Sequence, residues 1–106
     1  MQLKTLSLPK LNRLSPTLES TTLKLMEEAG ELAQVIGKFR GLSGEDMVMD
    51  EEKVVQEIAR ELLDVAQTAV TMMFVMEEQY GVNLDLILQE HCAKLKRKGY
   101  LTTTST

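Results

Sequence analysis

The chain is poor in the residues on which several protein classes depend. Its 106 residues include one cysteine, one histidine, two prolines and no tryptophan. A lone cysteine, Cys92, cannot form an intrachain disulfide, so nothing points to secretion. A lone histidine nearly excludes a ferritin-like di-iron bundle, because that bundle takes a Glu-x-x-His motif from each of two helices.

Two further absences restrict where the protein is expected to be located and which partners it is expected to bind. No apolar run approaches the roughly 18 residues of a membrane span, and residues 1–10 lack the apolar stretch of a signal peptide. The formal net charge is -4 and the isoelectric point is near 5.0, whereas non-specific binding to nucleic acid or membranes needs a basic surface. We therefore expect a cytoplasmic protein with neither a nucleic acid nor a membrane as partner.

The chain is rich in sequence that favours helices. Aromatic residues make up 4% and there are seven methionines, which is typical of packed helices rather than sheets. Apolar residues recur every three to four positions, and no useful strand-like alternation occurs. We predict an all-α fold in a single domain over residues 1–106, a compact bundle of three main helices plus an N-terminal segment. The core spans about residues 15–100, residues 101–106 form a frayed tail, and residues 1–14, which include Pro9, form a short helix or an extended arm.

Capping residues and glycines delimit the three helices. Ser, Asp or Asn can accept the free amides of a first turn, and glycine readily ends a helix. The first helix is predicted to have Ser15 as its N-cap and Pro16 at its first position, and to run to about Lys38 or Arg40. The other two are Glu51 to Gln79, capped by Asp50 and ended by Gly81, and Leu84 to Lys98, capped by Asn83 and ended by Gly99.

Two pairs of acids stand out on the first two helices: Glu28 with Glu31, and Glu61 with Asp64. Residues three apart on a helix have Cβ atoms about 5–6 Å from each other. Two adjacent helices would therefore bring four carboxylates into one small volume, where like charges repel unless a hard cation lies between them. One such pair is a weak signal, but two pairs predict a site for Mg²⁺, with Mn²⁺ as a possible substitute.

Helical geometry sorts these acids relative to the apolar faces. The apolar arc of the first helix is centred between Leu18, Leu25, Ala29 and Ile36, which places Glu28 at its margin, whereas Glu27 lies on the polar side. On the second helix, Glu61 and Asp64 are predicted to flank the apolar face, together with Glu57. That face comprises Val54, Ile58, Leu62, Val65 and Ala69.

The segments LMEEAGEL at 25–32 and ELLDV at 61–65 resemble the all-α nucleoside triphosphate pyrophosphohydrolases of the MazG-like group. The resemblance extends over about residues 18–100. It implies hydrolysis of a nucleoside triphosphate, ribo or deoxy, to the monophosphate and pyrophosphate with Mg²⁺. Glu28, Glu31, Glu61 and Asp64 match the motif as metal ligands and catalytic residues, and Glu28 or Glu31 would take the proton of the attacking water. The alternative is a non-enzymatic helical interaction or regulatory module whose acidic face is simply solvated.

The third predicted helix ends in the only basic cluster, residues 94–98. These cations can merely complement the helix dipole, or Lys94 and Arg97 can bind the outer phosphates of the substrate. On the same helix, His91 is expected at the surface or partly buried, and Cys92 is expected as a small core residue.

The C-terminal half of the second helix predicts self-association. Between residues 69 and 76 apolar side chains spread almost all the way round the helix, and such a helix needs burial on every side. Three helices of one short chain do not easily supply this burial. We therefore expect a homodimer or homotetramer, in which the site can take residues from two chains.

Overall fold

The structure is a computed structural model that describes residues 1–40 and 51–102. Within these residues the order of elements is α1 (Leu18–Phe39), α2 (Glu51–Tyr80) and α3 (Leu84–Arg97), without a strand. The prediction of an all-α chain with three helices is confirmed. The predicted cap Asp50 and most of the predicted tail lie outside the described residues.

The start of α1 differs from the prediction. Its N-cap is Thr17 and not Ser15. The amide of Ser20 donates to Thr17 Oγ1 over 3.0 Å, and the amide of Thr17 donates to Ser20 Oγ over 2.9 Å. This reciprocal capping box satisfies two amides at once. Ser15 cannot form one, because the residue three positions later is Leu18, whose side chain accepts no hydrogen bond.

The other described helix ends agree with the prediction to within one residue. Asn83 caps α3 by accepting the amide of Leu86 over 3.2 Å. Gly81 and Gly99 follow α2 and α3 with φ angles of 65° and 77°, a left-handed conformation that glycine adopts without steric cost. Local chemistry therefore sets where these helices stop.

Helices α1 and α2 pack extensively against each other. They run antiparallel, because Pro16 before α1 contacts Gln79 near the end of α2, while Glu28 and Glu31 lie beside Glu61. Buried or half-buried residues alternate at spacings of three and four on both helices, as in a coiled coil. These residues form what we call the seam: Leu18, Thr21, Leu25, Glu28, Leu32, Val35 and Phe39 on α1, and Val54, Ile58, Glu61, Val65, Thr68, Met72 and Val75 on α2.

The N-terminal segment is an extended arm rather than a short helix. Three contacts hold it against α2. Gln67 Nε2 donates to the Pro9 carbonyl over 2.9 Å, Gln79 Nε2 donates to the Pro16 carbonyl over 3.2 Å, and Lys10 pairs with Glu78. The arm thus covers one side of the helix pair.

Helix α3 corrects the prediction of a compact three-helix bundle. None of its residues is buried. Within the described residues, α3 does not pack extensively against α1 or α2. The radius of gyration is 17.4 Å, compared with about 13 Å for a compact domain of 100 residues. Cys92, expected in the core, is exposed for the same reason.

Candidate metal centre

Three of the four predicted acids come together where α1 and α2 meet. One carboxylate oxygen from each of Glu28, Glu31 and Glu61 lies within 4.8 Å of the other two. Glu28 is only 6% exposed, because it occupies a seam position and not the margin of the apolar face. Glu61 is half-buried, also on the seam.

Two oxygen atoms of this cluster indicate what it can hold. Glu28 Oε2 and Glu61 Oε2 are buried and have no hydrogen-bond partner. A buried carboxylate oxygen without a partner is unfavourable, and in native proteins such an atom commonly faces a cation or a water molecule. Hard divalent cations take carboxylate oxygens at about 2.0–2.6 Å, so small side-chain adjustments would let one ion contact all three acids. The donor set therefore fits a divalent metal ion.

Lys24 lies at the edge of the cluster. Its Nζ is 3.0 Å from Glu28 Oε1 and 3.8 Å from Glu27 Oε1. The hydrogen bond to Glu28, followed by the charges of Glu27 and Glu28, raises the pKa of Lys24, which therefore stays protonated. The Glu27 side chain is 60% exposed, as expected for an acid on the polar side of α1.

Asp64, the fourth predicted acid, stands apart from the three. It is exposed and lies outside the group of oxygens within 4.8 Å. With Lys24 and Glu28 it lines a cavity of about 450 Å³ beside the cluster. Asp64 therefore borders the space next to the three acids and is not one of them.

The electrostatics of the cluster reflect mutual repulsion. The pKa of Glu31 is raised above its usual 4.5, first by the charge of Glu28 and then by partial desolvation. The pKa of Glu61 is raised as well, first by desolvation and then by the charges of Glu31 and Asp64. Like charges and burial both disfavour the ionised carboxylate. A divalent cation would outweigh both effects, because its charge stabilises the ionised carboxylates.

These shifts predict how the stability of the metal-free protein depends on pH. Glu31 and Glu61 hold their protons more tightly in the folded than in the unfolded chain, so their contribution to the free energy of unfolding falls as the pH rises from about 4.5 through the raised values. Below that window both states are protonated and the contribution is unchanged. We expect Glu61→Gln to flatten this decline in urea melts between about pH 4.5 and neutrality. Glu27→Gln should flatten it less, because the charge of Glu27 is only a lesser cause of the raised Glu31 pKa.

Binding of a divalent metal ion should remove the loss of stability that these acids cause at neutral pH. Millimolar Mg²⁺ or Mn²⁺ added to stripped protein at neutral pH should raise the melting temperature, because an ion that binds only the folded state stabilises it by mass action. An unchanged melting temperature, or a pH decline that Glu61→Gln leaves intact, would contradict a metal site at these acids.

Comparison with known families agrees with this geometry. Residues 16–99 match the family model of the MazG nucleotide pyrophosphohydrolase domain. The chain belongs to this family. Hydrolases of the MazG type generally depend on divalent metal ions, and family membership indicates nucleotide pyrophosphohydrolase activity. No curated protein and no solved structure matches the chain significantly.

The two basic residues predicted to bind substrate lie elsewhere in this MazG domain. Lys94 and Arg97 are exposed on α3, and neither lines the cavity beside the acids. Within one chain the structure does not bring them to the cluster.

No described helix is long and apolar enough to cross a membrane.

Several residues that line the cavity beside the acids had no predicted role at the site. Thr21, Thr68 and Thr71 are buried hydroxyl residues beside the acids. The three-and-four spacing from Leu18 to Leu25 and Leu32 could have placed Thr21 and Glu28 on one face. No local signal could have found Leu11 and Leu14, which reach the cavity only because the arm folds back onto α2.

Proposed function

We propose that this chain hydrolyses a nucleoside or deoxynucleoside triphosphate to the monophosphate and pyrophosphate in a Mg²⁺-dependent reaction. One observation carries the proposal: Glu28, Glu31 and Glu61 place carboxylate oxygens within 4.8 Å of one another, inside the segment matched by the family model. The expected compartment is the cytoplasm. A module with a merely solvated acidic face is less well supported, because solvation does not account for a glutamate that is 6% exposed.

In the proposed site, Glu28, Glu31 and Glu61 hold the metal, with Asp64 as the fourth acid on the cavity side. When bound, Mg²⁺ would neutralise phosphate charge and lower the pKa of a water molecule, and Mn²⁺ could replace it. Without such an ion, these acids would repel a triphosphate. Lys24 holds one oxygen of Glu28 and so fixes the orientation of the other.

The reaction needs a proton acceptor, and Glu31 suits this role better than Glu28. A water molecule attacks the α-phosphorus in line, the bond to the oxygen that bridges to the β-phosphorus breaks, and pyrophosphate leaves with the electron pair. The water's proton passes to a carboxylate. Glu28 is engaged by Lys24 through one oxygen and buried at the other, whereas Glu31 is the more exposed of the two.

A homodimer or homotetramer is part of the proposal. Val54 and Val75 are the only buried apolar residues among those the structure describes, which is a small core for one chain. Helix α2 also carries a second apolar face, which we call the outer stripe: Val55, Leu62, Ala66, Ala69, Met73 and Met76. From Leu62 to Met76 the residues of this stripe are spaced by three and four positions, which is suited to packing against another helix.

A second copy of the chain would also provide a surface against which α3 can pack. Its apolar side chains Leu86, Ile87 and Leu88 are exposed in the single chain. We propose that Lys94 and Arg97 bind the outer phosphates from the partner's α3, since they do not reach the acids of their own chain. The competing interpretation, that they only complement the dipole of α3 at its C-terminus, places no requirement on the partner.

The test of the activity is pyrophosphate release from a panel of ribo- and deoxynucleoside triphosphates, with and without Mg²⁺. We expect release of pyrophosphate with the matching monophosphate, only with the metal present. Release of inorganic phosphate and a diphosphate would indicate attack at the γ-phosphorus instead. No release from any triphosphate would leave the non-enzymatic module as the better explanation.

A further inference from the structure

The lining of the cavity beside the acids combines ionisable and apolar side chains. Lys24, Glu28 and Asp64 are ionisable, whereas Leu11, Leu14 and Pro16 are apolar. Its volume is about 450 Å³, within the range of about 300–1,000 Å³ that small-molecule sites occupy. Such sites expose mostly apolar surface with a few placed polar groups. Most of the surface lining this cavity is apolar too, although nine of its twelve lining residues are polar or charged.

One polar group in the cavity has hydrogen-bonding capacity to spare. Thr71 is 7% exposed, and its hydroxyl oxygen accepts from Gln67 Nε2 over 3.3 Å. The hydroxyl proton remains available for donation to a ligand. The neighbouring hydroxyls of Thr21 and Thr68, by contrast, donate to backbone carbonyls of their own helices.

The apolar wall comes from the arm and lies outside the shared domain. The family match begins at residue 16, whereas Leu11 and Leu14 precede it. Contacts with Gln67, Gln79 and Glu78 nevertheless fix this wall against α2. Leu11 and Leu14, which shape this part of the cavity, are therefore residues that the family match does not include.

We propose that the cavity takes the sugar and base of the nucleotide, and that the arm, through Leu11 and Leu14, determines which nucleosides are accepted. This inference rests on the proposed function, because phosphates held at the acids place the attached nucleoside next to them. Aliphatic side chains pack on the faces of the base, and the Thr71 hydroxyl donates to an acceptor on the nucleoside. With no tryptophan in the chain, aliphatic packing takes the place of a large aromatic platform.

The test measures nucleotide binding and turnover separately. Calorimetry with ribo- and deoxynucleoside monophosphates, and with Mg²⁺ tripolyphosphate as a ligand that lacks a nucleoside, is compared for wild type and Leu11→Ala. We expect the variant to bind its best monophosphate about tenfold more weakly, in line with the loss of a partly buried leucine side chain. Tripolyphosphate binding should not change. For the triphosphates, KM should rise and kcat should change little.

Matched variants control for effects on folding. Leu6→Ala makes the same change on an arm leucine that does not line the cavity, and it should bind like wild type. Thr71→Val removes the hydroxyl at nearly constant volume and should alter the ranking of the bases, whereas Thr22→Val, on the exposed side of α1, should not. If Leu11→Ala melts much earlier than wild type, Leu14→Ala serves instead, since Leu14 is largely exposed.

The outcomes separate this inference from the proposed activity. Wild type that binds no monophosphate, or Leu11→Ala and Thr71→Val variants with unchanged affinities and ranking, would overturn the nucleoside cavity even if pyrophosphate is released. A shift in oligomeric state without a change in nucleoside binding would assign the cavity to a second copy and also overturn it. Nucleoside binding that depends on Leu11 in a protein that releases no pyrophosphate would overturn the activity and retain the cavity.

Discussion

Glu28→Gln should abolish most of the pyrophosphate release while leaving the helical content of the chain unchanged. The amide keeps the size of the side chain but removes its negative charge. A carboxylate oxygen of Glu28 lies within 4.8 Å of one from Glu31 and one from Glu61. Metal assistance is worth several kcal/mol in the transition state, so kcat/KM should fall by on the order of a hundredfold or more. Pyrophosphate release and circular dichroism of the same samples measure the two effects.

Glu27→Gln is the matched control for this substitution. It makes the same chemical change one residue away, on a side chain that is 60% exposed and lies 3.8 Å from Lys24. We expect it to keep most of the activity. Equal losses for Glu27→Gln and Glu28→Gln would mean that the activity follows the general acidity of α1 rather than the seam position of Glu28.

Glu61→Gln should separate activity from stability. It removes a carboxyl whose pKa is raised by desolvation and by the charges of Glu31 and Asp64, so the metal-free protein should be more stable near neutral pH than wild type. Its activity should nevertheless fall with that of Glu28→Gln. Opposite effects on stability and activity are expected where a site concentrates charge for function.

Helix number and most helix ends could be predicted because they depend on neighbouring residues. Asn83, Gly81 and Gly99 act within one turn of the helix that each delimits. The start of α1 was predicted wrongly for a similar local reason. Ser15 followed by Pro16 is a good start signal, but Thr17 and Ser20 satisfy each other's amides and so cap the helix more completely.

The depth of Glu28 could not be predicted from the pattern of apolar residues. Helix α1 has apolar residues on more than one face, and hydrophobicity favoured the arc through Ala29 and Ile36. Packing against α2 instead buries the face that carries Thr21 and Glu28, whereas Ala29 and Ile36 are exposed. Because Thr21 and Glu28 are polar, the pattern of apolar residues did not identify this face as the buried one. The cost of burying them makes sense where the face serves a site rather than a core.

The cavity wall was beyond sequence reasoning because it depends on contacts between distant segments. Gln67 and Pro9 are 58 positions apart, and Gln79 and Pro16 are 63 apart. A glutamine side chain that donates to a carbonyl of an extended segment leaves no periodicity in the sequence. The position of α3 could not be predicted either. Its apolar residues predict that it is buried, but they do not identify the surface that covers it.

The double substitution Leu62→Glu with Met73→Glu should convert the proposed homo-oligomer into monomers. Both residues lie on the outer stripe of α2, where they are 55% and 45% exposed in the single chain. A symmetric interface contains each residue twice, and each apolar side chain of this size contributes about 1.5–3 kcal/mol when buried. The loss is then on the order of 6 kcal/mol or more, about ten-thousandfold in the dissociation constant.

Sedimentation of wild type and variant at micromolar concentration measures this loss, and Leu3→Glu is its control. Leu3 is a leucine of the arm that is 74% exposed, so the same change there should leave the assembly intact. A monomeric wild type, or a double variant that stays assembled, would contradict an interface on the outer stripe. If the double variant is monomeric, retains its helical content and has lost activity, the site needs a second chain, as expected if the partner's α3 supplies Lys94 and Arg97. If the monomer is as active as wild type, the acids of one chain suffice and the basic end of α3 complements only its own dipole.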